Sequence, residues 1–514
     1  MKSIRLLLGV AIVFVGVKIS ANNIIISNVT SVTGNSYVQL QFDLSWENSW
    51  NNSINHDAAW VFFKFKDNDG TWRPLHLTNT NNSITSGNTI TVPTDLTGAF
   101  IYRNSGSGTL ALTGILIGVE NLPGNFDVKG FAFEMVQIPM NNSYYLGDGE
   151  TGFNYYSSGS TTLPFLVNAN TITMGTTTGL LNDGILNGTL SASFPIAYNS
   201  SNAVQLYMMK HEISQAAYRE FLNTLTYDQQ ISRTAVAPNS AAGTMAIGLI
   251  ARRNSIQIMT SGVANTTPAV YACNLNNNGI FNEATDGEWI ACNYLSYMDV
   301  AAFLDWAALR PMTELEFEKS CRGPLYPVNS ENASGTSSFN GATALSYSNL
   351  GAANESVTSY TGSVYIANIT HNGIALSSSP TRVGIHATPY ATRISAGAGY
   401  YGCLDLSGNI EEITVATCTA AGRSYTGLSG DGILNTAGDA NTDYWPGING
   451  NSTATAANTV YGGLTGVTAA AGTSGRGGAC GYSPLTLIKT SYRQSPSNTS
   501  SRSNVTGGRG VKSF

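Results

Sequence analysis

Six cysteines are the residues of this 514-residue chain with the greatest capacity for covalent chemistry. A thiolate can attack an electrophile, bind a soft metal or form a disulfide. The six are Cys273, Cys292, Cys321, Cys403, Cys418 and Cys480. Their even number permits full pairing in an oxidising compartment. Cys273 and Cys292 bracket a loop, so we expect a disulfide between them, with buried free thiols as the alternative.

The loop bracketed by those two cysteines is rich in side-chain oxygen. Residues 274–279 read Asn-Leu-Asn-Asn-Asn-Gly, and Glu283 and Asp286 follow. Oxygens at every second residue around a central glycine resemble a calcium loop of the EF-hand type. The first three ligand positions are neutral asparagines, however, and the twelfth is Thr285. We therefore expect an Asn-rich turn here rather than an ion site. Residues 431–443 form a similar but weaker candidate.

Histidine offers no comparable pattern. The five histidines are scattered and show no metal-ligand spacing: His56, His76, His211, His371 and His386. The sequence also lacks a glycine-rich phosphate loop, a Gly-x-Ser-x-Gly elbow and a His-Glu-x-x-His motif. These observations disfavour the common hydrolytic and nucleotide-dependent activities.

The composition favours strands, turns and long surface loops over charged helices. Charged residues make up 11% of the chain, against about 25% in typical soluble domains, and there are 54 glycines. The net charge of −6 is small for this length and no Lys/Arg cluster occurs, so nucleic-acid binding is not expected. The length suggests roughly two to four domains.

The first 21 residues are typical of a signal peptide. Lys2 and Arg5 form a basic start, residues 6–17 an apolar run, and Ser20 and Ala21 a small-residue cleavage site. The run is shorter than the roughly 20 apolar residues that span a bilayer. We expect cleavage after Ala21, a secreted or periplasmic protein, and no stable membrane anchor.

Residues 22–130 are predicted to form an all-β, sandwich-like domain. Apolar and polar residues alternate over residues 38–46, which places one face of a strand on a core. A more continuous apolar run at residues 60–65 and a turn at residues 67–70 then predict a hairpin.

Residues 131–514 are predicted to form an α+β region that is rich in loops. Strand-like segments at residues 131–138 and 145–148 come first. Three helices are expected to begin after the capping residues Ser214, Ser296 and Thr313. The first two continue with apolar residues at the spacing of one helix face. Beyond Gly323 the helical periodicity is weak, and we expect loops laid over a small sheet.

Six segments of this second region share their order with one known family. They are residues 134–139, 210–218, 309–323, 401–413, 476–478 and 508–511. The most distinctive reads Leu-Arg-Pro-Met-Thr-Glu-Leu-Glu-Phe-Glu from Leu309. Together they resemble the sulfatase-modifying-factor, or formylglycine-generating-enzyme, family. The resemblance covers residues 131–514 and implies a C-type-lectin-like variant fold.

The catalytic cysteines of that family are incomplete in this chain. Its oxidising members place two closely spaced, copper-binding cysteines after an Arg-Gly-Gly segment. Here Cys480 follows Gly478 alone, and no cysteine lies between it and Phe514. Soft thiolates suit Cu(I), so other side chains do not easily replace the pair. We expect neither copper nor oxidase activity. Cys480 is then expected to be a disulfide partner, with Cys321 as a candidate, and a nucleophile is the alternative.

The resemblance implies calcium instead. The family holds calcium in the block that matches residues 401–413, and the corresponding positions are Asp405, Gly408, Ile410 and Glu412. Two carboxylates and two main-chain carbonyls, completed by water, would supply hard oxygen ligands. Asn349 and Leu350 match part of a second family calcium site. Turn capping is the alternative role for the two acids.

Two functions are compatible with these observations. The first is a secreted, non-catalytic binding or structural protein whose partner is a secreted or surface protein or a glycan. Exposed Tyr492, Arg493 and Arg502 would then lie near the family's ligand cleft, where such side chains suit recognition. The alternative is an oxidoreductase of the same family with an altered active site, which a second thiol beside Cys480 would favour.

Overall fold

The computed structural model describes residues 23–33, 38–120, 127–150, 154–201, 203–338, 340–341, 347–357, 364–365, 370–371, 374–375, 379–387, 391–442, 445–447, 466–480, 485–493 and 499–514. It is mixed and strand-rich, with 31% strand and 12% helix, which agrees with the expected α+β class. The predicted signal peptide, residues 1–21, lies outside these ranges. None of the described helices has the length and apolar character needed to cross a membrane.

Strands and helices are numbered in chain order. The strands are β1 Ile25–Thr33, β2 Val38–Asn51, β3 Asp57–Lys66, β4 Trp72–Leu75, β5 Asn88–Thr91, β6 Ala99–Arg103, β7 Gly106–Val119, β8 Val128–Gln137, β9 Tyr144–Leu146, β10 Tyr156–Ser157, β11 Phe165–Val167, β12 Leu181–Asn182, β13 Leu206–Met209, β14 Ile256–Thr260, β15 Val270–Cys273, β16 Arg310–Pro311, β17 Asn340–Gly341, β18 Tyr347–Ser348, β19 Ser356–Val357, β20 Val364–Tyr365, β21 Thr370–His371, β22 Ile374–Ala375, β23 Glu411–Val415, β24 Thr473–Arg476, β25 Thr506–Gly507 and β26 Gly510–Ser513. The helices are α1 Gln215–Leu222, α2 Tyr227–Arg233, α3 Tyr297–Trp306, α4 Glu314–Arg322, α5 Arg393–Ala396 and α6 Ala420–Arg423.

Two sheets organise the N-terminal part of the chain. One is three-stranded, in the order β1–β2–β7, and the other has eight strands, in the order β16–β26–β13–β8–β3–β6–β5 with β4 also paired to β3. The larger sheet draws on the whole chain, because the C-terminal β26 pairs with both β13 and β16. The expected boundary after residue 130 falls inside β8, so the two expected regions share one sheet.

Strand β3 shows that the larger sheet is covered on both faces. One face carries Ala59, Val61 and Phe63, which pack with the three-stranded sheet, and the other carries Ala58, Trp60 and Phe62, which pack with the helices. A continuous apolar run is typical of a strand that is buried on both sides. The protein is therefore layered as small sheet, large sheet, and helices with loops.

The three expected helices are confirmed at their N-termini. α1 begins after Ser214, α3 after Ser296 and α4 after Thr313, and each of these side chains accepts a main-chain N–H. α3 ends at Trp306, before the expected end at residues 310–311, which form the short strand β16. α2 was not predicted, because its sequence lacks a clear apolar stripe.

All six cysteines are buried and free. The structure therefore differs from the expectation of disulfides between Cys273 and Cys292 and between Cys321 and Cys480. A bridge needs specific Cα–Cα separations and Cβ directions, which spacing in the sequence does not determine. Burial first, and then the neighbouring Cys273, raises the pKa of Cys292.

Candidate functional site

Glu412, one of the two carboxylates predicted to bind calcium, is held by Arg509. It lies on β23 and is fully buried, and its two oxygens accept hydrogen bonds from Nε and Nη2 of Arg509 at 2.7 and 2.6 Å. The guanidinium also donates to the main-chain carbonyls of Met209, Lys210 and Leu404. A bidentate arginine already supplies the positive charge that a cation would bring.

The predicted ligands Asp405 and Gly408 lie in closely tied backbone. Asp405 has a left-handed conformation, with φ of +59°, and its Oδ2 accepts the N–H of Gly384. Gly408 has φ of +92° and donates its N–H to the carbonyl of Gly477 at 2.9 Å. The turn predicted around Gly408 is therefore present, and capping of main-chain N–H groups is the role that the contacts show.

Glu212 lies at the centre of this polar group, although sequence reasoning missed it. Its carboxylate accepts the N–H of the predicted ligand Ile410 at 3.0 Å and the side-chain amide of Asn409. Burial first, and then the carboxylates of Asp405 and Glu412, raise the pKa of Glu212 well above its usual range. The sequence shows this residue merely as one of three consecutive polar residues after β13.

The remaining predicted calcium residues are Asn349 and Leu350. Asn349 is exposed, has φ of +55° and accepts the N–H of Ala352 on its carbonyl at 3.0 Å, while Leu350 is partly buried. Within the described ranges, no group of three or more His, Cys, Asp or Glu side chains is arranged to hold a metal ion. The four-ligand set around residues 405–412 fits calcium poorly while Arg509 holds Glu412, and calcium there stays a prediction.

Cys480 is buried directly beside this polar group. Its N–H donates to the carbonyl of Asn409 at 2.9 Å. Burial first, and then the Glu212 carboxylate, raises the pKa of the Cys480 thiol to about 12. Burial thus disfavours the thiolate, which is the form that attacks an electrophile.

The segment expected to present exposed arginines is paired internally, which corrects that expectation. Arg493 is fully buried and donates to Glu314 at 2.8 and 3.1 Å. Arg502 donates to both carboxylate oxygens of Asp299 at 2.8 Å. Tyr492 is partly buried, and residues 494–498 lie outside the described ranges. Asp299 on α3 and Glu314 on α4 already pair with these arginines. The structure therefore does not support a role for the two arginines in ligand recognition.

A cleft of about 770 Å³ offers a different site. It lies where the N-terminal strands meet residues 399–404 and the segment around residue 382. Aromatic, amide and charged side chains line it together, among them Trp50, Tyr400, Asn52, Asn55, Lys210 and Arg382. A concave site with aromatic walls and a few polar groups is the usual form of a small-molecule or oligomer site.

Trp50 is positioned on one wall of the cleft by contacts from the other region. The Nζ atom of Lys210 lies 5.1 Å from the centre of the indole ring, and Lys210 is itself paired with Glu134 at 2.7 Å. Gly402, with φ of +101°, lies against the ring, where an added Cβ would come 2.9 Å from the Trp50 Cζ2 atom. The indole remains partly exposed towards the cleft.

Asn55 ties the two walls together. Its Nδ2 donates to the carbonyls of Gln137 at 2.9 Å and Tyr401 at 2.8 Å. Tyr401 packs edge-on against Tyr400, with ring centres 5.0 Å apart, and the Arg393 guanidinium lies 5.5 Å from the Tyr400 ring. These contacts give the cleft a preformed shape.

No family model matches this sequence, and no curated protein is significantly similar to it. The resemblance to the formylglycine-generating-enzyme family therefore depends on the six ordered segments alone.

Proposed function

We propose that this is a secreted, non-catalytic binding protein, built on a formylglycine-generating-enzyme-like scaffold, that binds a glycan in the cleft. The observation that carries the proposal is the pairing of partly exposed Trp50 and Tyr400 with the exposed amide side chains of Asn48 and Asn52. Aromatic rings provide flat apolar faces at low entropic cost, and the amides can hydrogen-bond hydroxyl groups.

The charges around the cleft favour a neutral ligand. Lys210 is paired with Glu134, and Arg382 donates its Nε to the carbonyl of Glu355 at 2.8 Å. Because these cations already have partners and acids also line the cleft, a charged peptide gains little electrostatic attraction there. A polyhydroxylated ligand requires no such attraction.

Catalysis by the family's oxidase mechanism is not part of the proposal. A copper site there needs two thiolates, and the sequence supplies one cysteine after Gly478. Burial of the Cys480 thiol, which raises its pKa, supports the same conclusion. We propose in addition that calcium stabilises the folded protein.

The test is binding of the purified mature chain to an oligosaccharide array, followed by calorimetry on the best ligand. Trp50→Ala and Tyr400→Ala should each weaken binding by about tenfold or more, as expected for aromatic residues at the centre of a binding site. Trp72→Ala is the matched control. Trp72 lines a separate cavity of about 320 Å³ and also carries a lysine, Lys129, at 4.8 Å from its ring.

Each outcome separates the candidate functions. Glycan binding that is lost in the Trp50 and Tyr400 variants but retained in Trp72→Ala supports the proposal. If the chain binds secreted or surface proteins and binds no glycan, its ligand is a protein and the glycan proposal is wrong. Conversion of a cysteine-containing peptide to its aldehyde by copper-treated protein would overturn the non-catalytic assignment.

A further inference from the structure

The loop at residues 274–287, which follows β15, is closed by its own main chain. The N–H of Asn282 donates to the carbonyl of Cys273 at 2.9 Å, and the N–H of Leu275 donates to the carbonyl of Asp286 at 3.3 Å. Gly279, with φ of +82°, makes the central turn. The two ends of the oxygen-rich stretch are thus held together before any ligand binds.

Two side-chain oxygens at these ends are buried without a well-formed hydrogen bond. Asn274 is 1% exposed and Asp286 is 0% exposed, and the Oδ1 atom of each lacks a well-formed hydrogen bond within the described part of the chain, although the main-chain N–H of Asn276 also acts on the Asp286 carboxyl. The other carboxylate oxygen of Asp286 accepts the N–H of Glu283 at 2.8 Å. Buried polar atoms almost always have partners in native proteins, so two orphaned acceptors in one loop indicate a missing hydrogen-bond donor or cation.

Glu283 brings a second carboxylate to the same loop from the surface side. Its Oε2 accepts hydrogen bonds from the amides of Asn276 and Asn278, at 3.1 and 2.6 Å. Arg219 contacts the loop through Asn282, donating to its Oδ1 at 3.0 Å. Among these described contacts, no cation reaches either carboxylate of the loop.

Two other loops with the same turn show what is special about this one. Residues 183–187, 278–282 and 431–435 all read Asp/Asn-Gly-Ile-Leu/Phe-Asn, and in each the first side chain accepts the N–H two residues later, at 2.9, 2.7 and 2.8 Å. Asp439, the acid that follows the segment at residues 431–435, is paired with Arg233 at 2.7 Å. The segment at residues 183–187 has a single oxygen without a hydrogen-bond partner, on Asp183, and no acid in the four residues that follow it. The shared turn is therefore structural. Of the three segments, the one at residues 278–282 combines two following acids, Glu283 and Asp286, with two oxygens that lack partners.

We propose that the loop at residues 274–287 binds a calcium ion through Asn274, Glu283 and Asp286. Amide and main-chain oxygens of residues 276–280, with water, complete the set. Calcium takes six to eight hard oxygen ligands, including carbonyls, and a donor set with two carboxylates matches a site of about 0.1–1 mM affinity. The bound ion displaces the amide hydrogen bonds on Glu283 and supplies the missing positive partner. The sequence expectation of a plain turn is revised because it could not show the orphaned oxygens.

The test measures calcium binding by the full mature chain with calorimetry and with terbium as a luminescent substitute. Trp289, three residues after Asp286, is placed to sensitise terbium. Glu283→Gln and Asp286→Asn remove one carboxylate each, and Glu288→Gln is the matched control. Glu288 lies in the same stretch but is paired with Arg219. We expect affinity to fall by about tenfold or more in the first two variants and to stay unchanged in the control.

Glu283→Gln keeps the test decisive if Asp286→Asn does not fold, because Glu283 lies at the surface and Gln has the same shape. Absence of saturable calcium and terbium binding by the wild-type chain would overturn the proposal. So would equal affinity in wild type and Glu283→Gln, or loss of binding in Asp405→Asn alone. The inference is independent of the glycan proposal, since no glycan enters the experiment.

Discussion

The carboxylates around residues 405–412 and those of the loop at residues 274–287 differ in what neutralises them. In the first group both oxygens of Glu412 accept hydrogen bonds from Arg509, and Asp405 accepts a main-chain N–H. In the loop, Asp286 is fully buried, and its Oδ1 atom lacks a well-formed hydrogen bond and an arginine partner within the described part of the chain. Family resemblance points to the first group as the ion site, whereas the unmet acceptors point to the second.

The two regions differ in whether the chain itself supplies a positive partner for a buried carboxylate. Among the residues that the structure describes, five arginines are fully buried, and each is paired with a glutamate: Arg310, Arg322, Arg476, Arg493 and Arg509. In these places the chain supplies its own cation. In the loop no arginine pairs with Asp286, and there we propose that an external cation takes this place.

The largest effect should come from breaking the arginine-paired group. Arg509→Ala leaves Glu412 buried and unpaired, which should cost about 3–5 kcal/mol of unfolding free energy. The measurement is urea denaturation in the presence of chelator. Arg73→Ala is the control, because Arg73 pairs with surface acids and should cost about 0–1 kcal/mol. A loss below about 1 kcal/mol in Arg509→Ala would show that the pair is not structural.

Calcium binding to the loop at residues 274–287 should change the free energy of unfolding by a smaller amount. An ion at tenfold excess over its dissociation constant stabilises the folded state by about 1.4 kcal/mol. We expect the melting temperature to rise with calcium, to return with chelator, and to respond little in Glu283→Gln. Magnesium at equal ionic strength is the control, because it demands a tighter octahedral site. Equal responses to calcium in wild type and Glu283→Gln would remove the distinction between the two regions.

Local features of the fold could be read from the sequence. The caps at Ser214, Ser296 and Thr313 involve side chains within three residues of the backbone that they satisfy, so short patterns locate them. The end of α3 was less predictable, because pairing of β16 with the distant β26 determines the structure of residues 310–311.

The sites were harder to predict, because their partners are distant in sequence. Arg509 lies 97 residues from Glu412, and Arg493 lies 179 residues from Glu314. No pattern around residue 412 could show that its charge is already neutralised, or around residue 493 that its guanidinium is buried. In the loop the opposite holds, since the sequence shows the oxygens but not which of them lack donors.

The smallest effect should come from Asp405→Asn, and it compares the two regions most directly. Burial raises the pKa of Asp405, although the N–H of Gly384 and then Arg509 and Arg382 oppose that shift, so the folded state disfavours ionisation of this carboxyl. Asn keeps an oxygen that can accept the same N–H, and the cost should be about 1 kcal/mol or less. The calcium-dependent rise in melting temperature should stay at its wild-type value.

Asp405→Ala serves as the control, because it removes the acceptor and leaves the N–H of Gly384 unsatisfied, at a cost of about 1–3 kcal/mol. If Asp405→Asn abolishes the calcium response while Glu283→Gln retains it, the ion binds where the family resemblance implies. Arg509 would then have to release Glu412 when calcium binds, so Arg509→Ala would bind calcium more tightly than wild type. If Asp405→Asn responds like wild type, the arginine has replaced the ion in this region, and the loop at residues 274–287 is where calcium acts.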